Sequence, residues 1–161
     1  MKTMRPLNKS IILFDIDYTL FDTSLFKNSK LSQFALYEEV FSVLNYLSKN
    51  SILGIFSEGD KDLQVRKLKE TGIENLLNKD HIHISENKEN LINEIVKNYK
   101  DSTLVIIDDK LDILFKIKKL LPSSKVVWVK RGVYAENQKP IPDFSPDFII
   151  DNLNEIKQLL F

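Results

Sequence analysis

Five aspartates that close two apolar runs are the clearest candidates for chemistry in this sequence. They are Asp15, Asp17, Asp108, Asp109 and Asp112. The first two follow the run at residues 11–14, and the other three end or follow the run at residues 103–108. Like charges that lie close together repel one another unless a cation lies among them, and Mg²⁺ prefers oxygen ligands. If the two runs are neighbouring strands, the sequence predicts a magnesium site there.

Asp15 and Asp17 lie two residues apart, so both side chains can turn towards one ligand just beyond the end of a strand. A carboxylate nucleophile can accept a phosphoryl group and form an aspartyl phosphate. A second carboxyl nearby can protonate the leaving alkoxide and later deprotonate water. The pair therefore suits phosphoryl transfer, and we expect Thr19 to fix the turn by a hydrogen bond.

Phosphoryl transfer also needs donors for the phosphoryl oxygens. Ser57 follows the apolar run at residues 52–56, where its hydroxyl and the next amides would stand at a helix start. Lys88 begins another helical stretch and brings a compact positive charge. Alone, an aspartate or serine after a strand is more often a helix cap, and a lysine is more often solvated. Their positions in the alternating order of elements favour a shared site.

Short β-rich runs alternate with longer stretches of helical spacing along the chain. The runs predicted as strands are residues 11–14, 52–56, 81–84, 103–108, 125–129 and 147–150. The stretches predicted as helices are residues 34–47, 61–70, 91–99, 111–121 and 153–160, with Gly72 as a left-handed stop. Because crossovers between parallel strands are right-handed, this order predicts an α/β fold, a three-layer, doubly wound, Rossmann-like parallel sheet. Ligands bind beyond the carboxyl ends of the strands in such sheets, where the aspartates fall.

Composition limits the classes of function and the environment. The chain has 161 residues, with 23 basic and 23 acidic side chains and no cysteine. We expect one domain over residues 1–161, with residues 1–9 as a flexible lead. A net charge of zero speaks against binding to nucleic acid, and the lack of cysteine excludes disulfides and cysteine nucleophiles. The apolar runs are too short to span a bilayer, so we expect a cytoplasmic protein without a membrane partner.

The residues identified above resemble the motifs of the haloacid dehalogenase (HAD) superfamily, whose members are mostly Mg²⁺-dependent phosphatases. The first motif, an apolar strand followed by Asp-x-Asp-x-Thr, is matched by IILFDIDYT at residues 11–19. Ser57 matches the second motif and Lys88 the third. The fourth, an apolar strand that ends in acidic residues spaced as Asp-x-x-x-Asp, is matched by VIIDDKLD at residues 105–112. The resemblance covers nearly the whole chain.

By that resemblance, Asp15 would be the nucleophile and a metal ligand. Asp17 would be the general acid and base, and its backbone carbonyl would also face the metal. Ser57 and Lys88 would hold the phosphate, with Thr19 beside them. The acid at position 17 favours phosphate chemistry over carbon–halogen cleavage, because the dehalogenating branch lacks it. The resemblance thus implies a phosphate monoester hydrolase that uses Mg²⁺ and an aspartyl-phosphate intermediate.

The acidic residues of the fourth motif leave the metal ligand open. The spacing to Asp112 favours Asp108 as the ligand, although Asp109 is its direct neighbour. Two other positions depart from the family pattern. Tyr18 stands where glycine is frequent, and Glu58 stands where asparagine or glycine is frequent. We expect Glu58 at the phosphate pocket, where its charge would oppose an anionic substrate.

The spacing between the motifs leaves no room for a cap domain, which larger members of the family insert between the first and second or the second and third motifs. An uncapped site can accept phosphate on a small molecule or an exposed phosphate on a larger one. Residues 21–31 or a second copy of the chain would then close the site, so a monomer or a homodimer is expected.

Two other classes of function stay open at this stage. One is a phosphoryl-accepting, receiver-like signalling domain, which is also doubly wound and also uses an acidic pair, a Ser or Thr and a lysine. The run at residues 105–109 resembles the opening of such a domain, yet too little chain follows it. The other is a catalytically weak binding protein with the same fold, an alternative that the uncommon Glu58 keeps open.

Overall fold

The computed structural model describes residues 8–159 of the chain. The expected lead over residues 1–9 therefore lies, for residues 1–7, outside the described residues. Among the helices of the described part, none has both the length and the apolar character needed to cross a membrane.

Six parallel strands form one sheet. They are β1 (Ser10–Phe14), β2 (Ser51–Glu58), β3 (Ile82–Ser85), β4 (Leu104–Asp108), β5 (Lys125–Val129) and β6 (Phe148–Ile150). The spatial order is β3-β2-β1-β4-β5-β6. The central strands read as continuous runs of valine, isoleucine and leucine, because helices cover both faces of the sheet. The predicted α/β doubly wound fold is confirmed.

Seven α-helices connect or flank these strands within the described residues. They are α1 (Thr23–Asn28), α2 (Val40–Leu47), α3 (Lys61–Glu70), α4 (Glu89–Tyr99), α5 (Leu111–Leu120), α6 (Gly132–Asn137) and α7 (Ile156–Leu159). Gly72 has φ 79°, the predicted left-handed stop after α3. The helices α1 and α6 were not predicted. Asp22 caps α1 by accepting a hydrogen bond from the Leu25 amide at 2.9 Å, so this aspartate belongs to a helix start.

The helix predicted over residues 34–47 is wrong in its first half, because α2 begins only at Val40. The backbone before it pairs with the loop that follows β1. The Asp22 amide donates to the Ala35 carbonyl at 2.9 Å, and the Tyr37 amide donates to the Leu20 carbonyl at 3.1 Å. These bonds hold residues 35–37 in an extended course, and their apolar side chains are half-buried without a helix.

Two apolar clusters lie on the two faces of the sheet, and each helix faces one of them. One cluster joins Ile12, Phe14 and Ile55 with α2, and the other joins Leu13 and Phe56 with α4 and α5. Burial on both faces fixes the strands in register. It thereby fixes the positions of the side chains that follow them.

The chain runs outward from β1 to β3 in one direction and from β4 to β6 in the other, so the strand order reverses between β1 and β4. Their carboxyl ends lie side by side, and the Asp15 amide donates to the Ile107 carbonyl at 2.9 Å. This reversal is the point where ligands bind in open α/β sheets. The aspartates after both strands are thereby brought together.

Candidate active site

Three carboxylates meet at the point where the strand order reverses. Asp15 follows β1, Asp108 ends β4 and Asp109 follows it, and one oxygen from each lies within 4.8 Å of the others. All three residues are buried, at 6%, 0% and 1% exposure. Buried like charges at this separation need a cation or must take up protons. The convergence of the two strand ends, expected from the sequence, is thus present.

Lys88 supplies one positive charge to this cluster. Its Nζ lies 2.9 Å from Asp15 Oδ1 and 2.5 Å from Asp108 Oδ2, and the residue is 1% exposed. Burial alone would lower the pKa of Lys88, but the charges of Asp108 and Asp15 outweigh it and raise that pKa above its ordinary range. Lys88 is therefore a fixed cation that crosses between the two strand ends. It immediately precedes α4, as the sequence indicated.

Asp109 is the carboxylate that remains without a partner. Both of its oxygens are buried, and neither has a hydrogen bond within the described part of the chain. Burial, and then the charges of Asp15 and Asp108, raise the pKa of Asp109 to about 10. A divalent cation would supply the missing partner and restore the ionised form. The donor set of carboxylate oxygens is the type that Mg²⁺ takes.

Asp108 is already engaged on both oxygens. Its Oδ2 accepts from Lys88, and its Oδ1 accepts from the Lys110 amide at 2.9 Å. Burial and the charge of Asp15 raise the pKa of Asp108 to about 6, although Lys88 opposes this rise. The hydrogen bonding thus favours Asp109 as the candidate metal ligand, whereas the sequence spacing favoured Asp108.

The structure places Asp112, which we included in the predicted metal site, apart from the three clustered carboxylates. Because α5 begins at Leu111, Asp112 stands on its first turn, and its side chain faces Gln138, whose Nε2 lies 3.4 Å from Asp112 Oδ1. Asp112 lines a separate cavity with Val133 and Lys139, and it has no atom in the three-carboxylate cluster. Helical geometry carries this side chain away from the strand end.

The Asp17 carboxylate belongs to a second set of donors beside that cluster. Asp17 Oδ1 accepts from Lys67 Nζ at 2.7 Å and from the Thr23 hydroxyl at 2.8 Å, and Oδ2 accepts from Gln64 Nε2 at 2.9 Å. Burial raises the pKa of Asp17, but the charge and hydrogen bond of Lys67 outweigh it, so the pKa is lowered. The structure places this carboxylate away from the three clustered ones, and only its backbone stays a candidate for the metal.

Ser57 and Glu58 end β2 next to these groups. Ser57 is fully buried, and its Oγ accepts from Gln64 Nε2 at 2.9 Å. The Glu58 carboxylate accepts from the Lys88 amide at 3.0 Å and from Lys110 Nζ at 3.2 Å. Burial opposes the charge of Glu58, but these donors lower its pKa. Lys110 thus compensates the charge that we expected to oppose an anionic substrate.

Thr19 does not line the cavity beside these groups, so its contact with phosphate or substrate stays a prediction. It is fully buried, and its hydroxyl has no hydrogen-bond partner among residues 8–159. Thr23, rather than Thr19, forms the hydrogen bonds that fix the turn. Its Oγ1 accepts from the Tyr18 amide at 3.2 Å and donates to Asp17. The tight turn after β1 points the earlier threonine into the core and the later one towards the carboxylate.

Four residues of the site were missed in the sequence, namely Thr23, Gln64, Lys67 and Lys110. Gln64 and Lys67 lie three positions apart and so share one face of α3. The sequence shows that these two residues share a helix face. It does not indicate that they are buried, because glutamine and lysine in a strongly charged helix are usually exposed. Lys67 is 4% exposed because α3 packs beside the turn after β1.

A cavity of about 400 Å³ opens onto these groups. Its lining combines charged and polar side chains with a smaller number of apolar and aromatic ones. The charged and polar residues are Asp15, Asp17, Thr23, Lys27, Glu58, Lys67, Glu86, Asp109 and Lys110. The space is larger than a phosphoryl group, so it has room for a bound organic molecule. The carboxylates of Asp15, Asp17 and Asp109 thus line one cavity, and Lys88 pairs with Asp15 behind it.

Several solved structures share this fold over almost the whole chain. A protein of Burkholderia xenovorans LB400 described as a haloacid dehalogenase-like hydrolase is 19% identical, with a TM-score of 0.76 over 95% of this chain and 97% of that chain. A protein of Clostridium difficile described as a phosphatase is 20% identical, with a TM-score of 0.72 over 96% and 99%. YfnB of Bacillus subtilis, described as a HAD hydrolase bound to magnesium, is 14% identical, with a TM-score of 0.72 over 95% and 99%.

Dehalogenases are also found with this fold. No protein-family model matches the sequence, and no curated protein sequence matches it either. At these identities the likeness to solved structures concerns the fold. The chain therefore has the haloacid dehalogenase-like fold, as the motif resemblance predicted.

Proposed function

We propose that this protein, which has the haloacid dehalogenase-like fold, is a Mg²⁺-dependent phosphatase that hydrolyses phosphate monoesters through an aspartyl phosphate on Asp15. The observation that carries the proposal is the buried cluster of Asp15, Asp108 and Asp109, crossed by Lys88 and set beside Asp17. An attacking carboxylate, a second carboxyl and fixed positive charge are the groups that phosphoryl transfer needs.

Asp15 and Asp109 would hold the Mg²⁺ ion, and the resemblance adds the Asp17 carbonyl. The unpartnered oxygens of Asp109 support this assignment, because a buried carboxylate otherwise costs several kcal/mol. When bound, Mg²⁺ supplies charge neutralisation for the phosphoryl oxygens and orients them. Lys88 contributes a second, permanent positive charge that holds the Asp15 carboxylate in place.

In the first step, an oxygen of Asp15 attacks phosphorus, and the bond between phosphorus and the ester oxygen breaks. The leaving oxygen takes a proton from Asp17 and departs as an alcohol. Lys67 favours the ionised form of Asp17 in the free protein. The negative charge of a bound phosphate raises the pKa of a neighbouring carboxyl and so helps Asp17 carry that proton.

In the second step, water attacks the phosphorus of the aspartyl phosphate while Asp17 accepts a proton from it. The bond between phosphorus and the Asp15 oxygen breaks, and inorganic phosphate leaves with the Asp15 carboxylate restored. The donors around Asp17 support this role, since Thr23, Gln64 and Lys67 orient an ionised carboxylate that can act as a base.

Asp17 also favours phosphate over halide chemistry on this fold. An alkoxide is a poor leaving group without a proton, whereas a halide leaves as a stable anion and needs none. A second carboxyl held by three donors beside the nucleophile is therefore useful in phosphate ester hydrolysis and superfluous in dehalogenation.

The test is a phosphate-release screen over sugar phosphates, nucleotides and phosphopeptides, with and without Mg²⁺. We expect Mg²⁺-dependent release that falls by about a thousandfold or more in Asp15→Asn. Asp22→Asn is the matched control, because asparagine also caps a helix and Asp22 lies outside the cluster. Unchanged turnover in Asp15→Asn would overturn the proposal. A phosphoenzyme that persists without release would instead favour the signalling alternative.

A further inference from the structure

Beyond its carboxylates and lysines, the cavity that contains Asp15 has a group of large apolar side chains that the proposed chemistry does not use. They are Tyr18, Phe26, Leu31, Leu63 and Tyr134, and we call them the apolar wall. They come from the turn after β1, from α1 and the segment after it, from α3 and from α6. Separate segments of the chain thus bring apolar surface to the same cavity as the nucleophile.

Two members of the apolar wall are exposed although they lie next to buried ones. Leu31 is 61% exposed and Tyr134 is 49% exposed, whereas Phe26 is 4% exposed. Scattered single apolar residues on a surface need no explanation, but a contiguous apolar group inside a cavity marks a place where a ligand binds. This group lines the same cavity as Asp15, so one ligand can contact both.

Tyr18 is held in the apolar wall at the expense of backbone strain. Its φ is 60°, a left-handed value that side chains with a Cβ rarely adopt. Gly132 packs directly on it, and a Cβ at that glycine would lie 2.3 Å from Tyr18 Cδ1. The Tyr134 ring meets Tyr18 edge-on, with centroids 5.9 Å apart. Such strain persists where the surrounding structure enforces it, and it often marks functional sites.

Three of the five side chains in the apolar wall offer no hydrogen-bond partner to a hydroxylated substrate, and the polar side chains of the cavity lie outside the wall. The Tyr18 hydroxyl already accepts from Lys27 Nζ at 3.3 Å, and Phe26, Leu31 and Leu63 have no polar side-chain atom. Desolvated hydroxyl groups without partners are costly, whereas buried methylene groups are favourable. Lys110 lies over the Tyr134 ring at 4.7 Å and pairs with Glu58, so its charge is already matched.

We propose that the substrate is a phosphate monoester of an apolar or aromatic alcohol, whose organic part packs on the apolar wall while its phosphate meets Asp15. This inference rests on the proposed phosphatase function and names the substrate class of the same site. The cavity of about 400 Å³ is large enough for both parts of such a molecule.

The direct test is kcat/KM for ethyl, butyl and hexyl phosphate, with glycerol 3-phosphate as a polar compound of similar size to butyl phosphate. These esters have leaving oxygens of similar basicity, so differences report on binding of the organic part. We expect kcat/KM to rise about tenfold or more from ethyl to hexyl phosphate, and butyl phosphate to exceed glycerol 3-phosphate. Equal values along the series would overturn the inference.

Variants locate the effect on the apolar wall. Leu31→Ser and Tyr134→Ser should each reduce the ratio of kcat/KM for hexyl phosphate to that for ethyl phosphate by about threefold or more, because each removes apolar surface from the wall. Both side chains are about half exposed or more, at 61% and 49%. Leu120→Ser and Phe41→Ser are matched controls, since these residues are 50% and 54% exposed and lie outside the cavity. An equal reduction in the controls would overturn the assignment.

Binding of non-hydrolysable phosphonates separates this inference from the proposed function. Calorimetry with Mg²⁺ would compare methylphosphonate with hexylphosphonate, and we expect the second to bind about tenfold more tightly. Tighter hexylphosphonate binding without any phosphate release would overturn the phosphatase proposal and leave the apolar ligand site standing. Phosphate release with no chain-length preference would support the phosphatase proposal and overturn the apolar ligand site.

Discussion

Lys67 Nζ lies 2.7 Å from Asp17 Oδ1, and the two side chains are 5% and 29% exposed. This ion pair joins α3 to the turn after β1 and orients the carboxyl that the proposed mechanism uses for proton transfer. Lys67 also lies over the rings of Phe21 and Phe26, at 5.0 Å and 5.6 Å, so its surroundings are otherwise apolar. A lysine in such a place is stabilised mainly by its partner.

Lys67→Met should destabilise the protein by about 1–3 kcal/mol near neutral pH, because it leaves the Asp17 carboxylate without its cation. The pKa of Asp17 is lowered in the folded protein, so the stability from the pair is present above the ordinary value of 3.8 and is lost as pH falls. Urea unfolding at several pH values between about pH 7 and pH 3 measures this effect. The difference in the free energy of unfolding between Lys67→Met and the wild type should shrink as the pH falls. The exposed Lys69→Met is the control. A difference that stays constant with pH would contradict the assignment.

Asp109→Asn should weaken binding of Mg²⁺ or Mn²⁺ by about tenfold or more, because asparagine removes the charge of an unpartnered ligand. Asp112→Asn should leave the affinity within about twofold, since Asp112 stands on α5 beside Gln138. Calorimetric titration with either ion measures both variants under the same conditions. The opposite order of effects would restore Asp112 to the metal site.

The metal-free protein should lose stability as pH rises above the ordinary carboxyl range. Burial and the charges of Asp15 and Asp108 raise the pKa of Asp109 from 3.8 to about 10 in the folded state. The unfolded chain therefore releases this proton first, and the stability that the protonated form provides is lost progressively across that interval. The free energy of unfolding, measured in the presence of a chelator, should be lower at about pH 8 than at about pH 5. This loss of stability should be smaller in Asp109→Asn. An equal loss in the variant would contradict this origin.

Gly132→Ala should destabilise the protein by about 2–4 kcal/mol, because its new Cβ would collide with the Tyr18 ring. Gly72→Ala is the matched control: its φ of 79° resembles the 81° of Gly132, but nothing lies within 4 Å of an added Cβ. Gly72→Ala should cost only about 1 kcal/mol, the price of the left-handed backbone. Thermal unfolding compares the two. In a Tyr18→Gly background, which also removes the Tyr18 Cβ that would lie 2.8 Å from the new one, the extra cost of Gly132→Ala should largely disappear, and its persistence would place the collision elsewhere.

The strands were predictable because parallel strands buried on both faces are continuous apolar runs, and residues 104–107 could hardly be anything else. The stretch of residues 34–37 was misread because its apolar residues have helical spacing, while backbone bonds to residues 20–22 hold it extended. Spacing reports which side chains are buried, but it does not report which backbone partner satisfies the amides.

The sequence by itself determined the sheet, the approach of Asp15 to Asp108, and the place of Lys88 before a helix. Each of these follows from local apolar pattern and strand order. Only the tertiary structure decided that Asp109, rather than Asp112, keeps free oxygens beside Asp15, and that Lys67 and Gln64 hold Asp17. The physical reason is that burial and hydrogen-bond partners depend on how separate elements pack. The residue type of a charged side chain does not show whether it faces water or another charge.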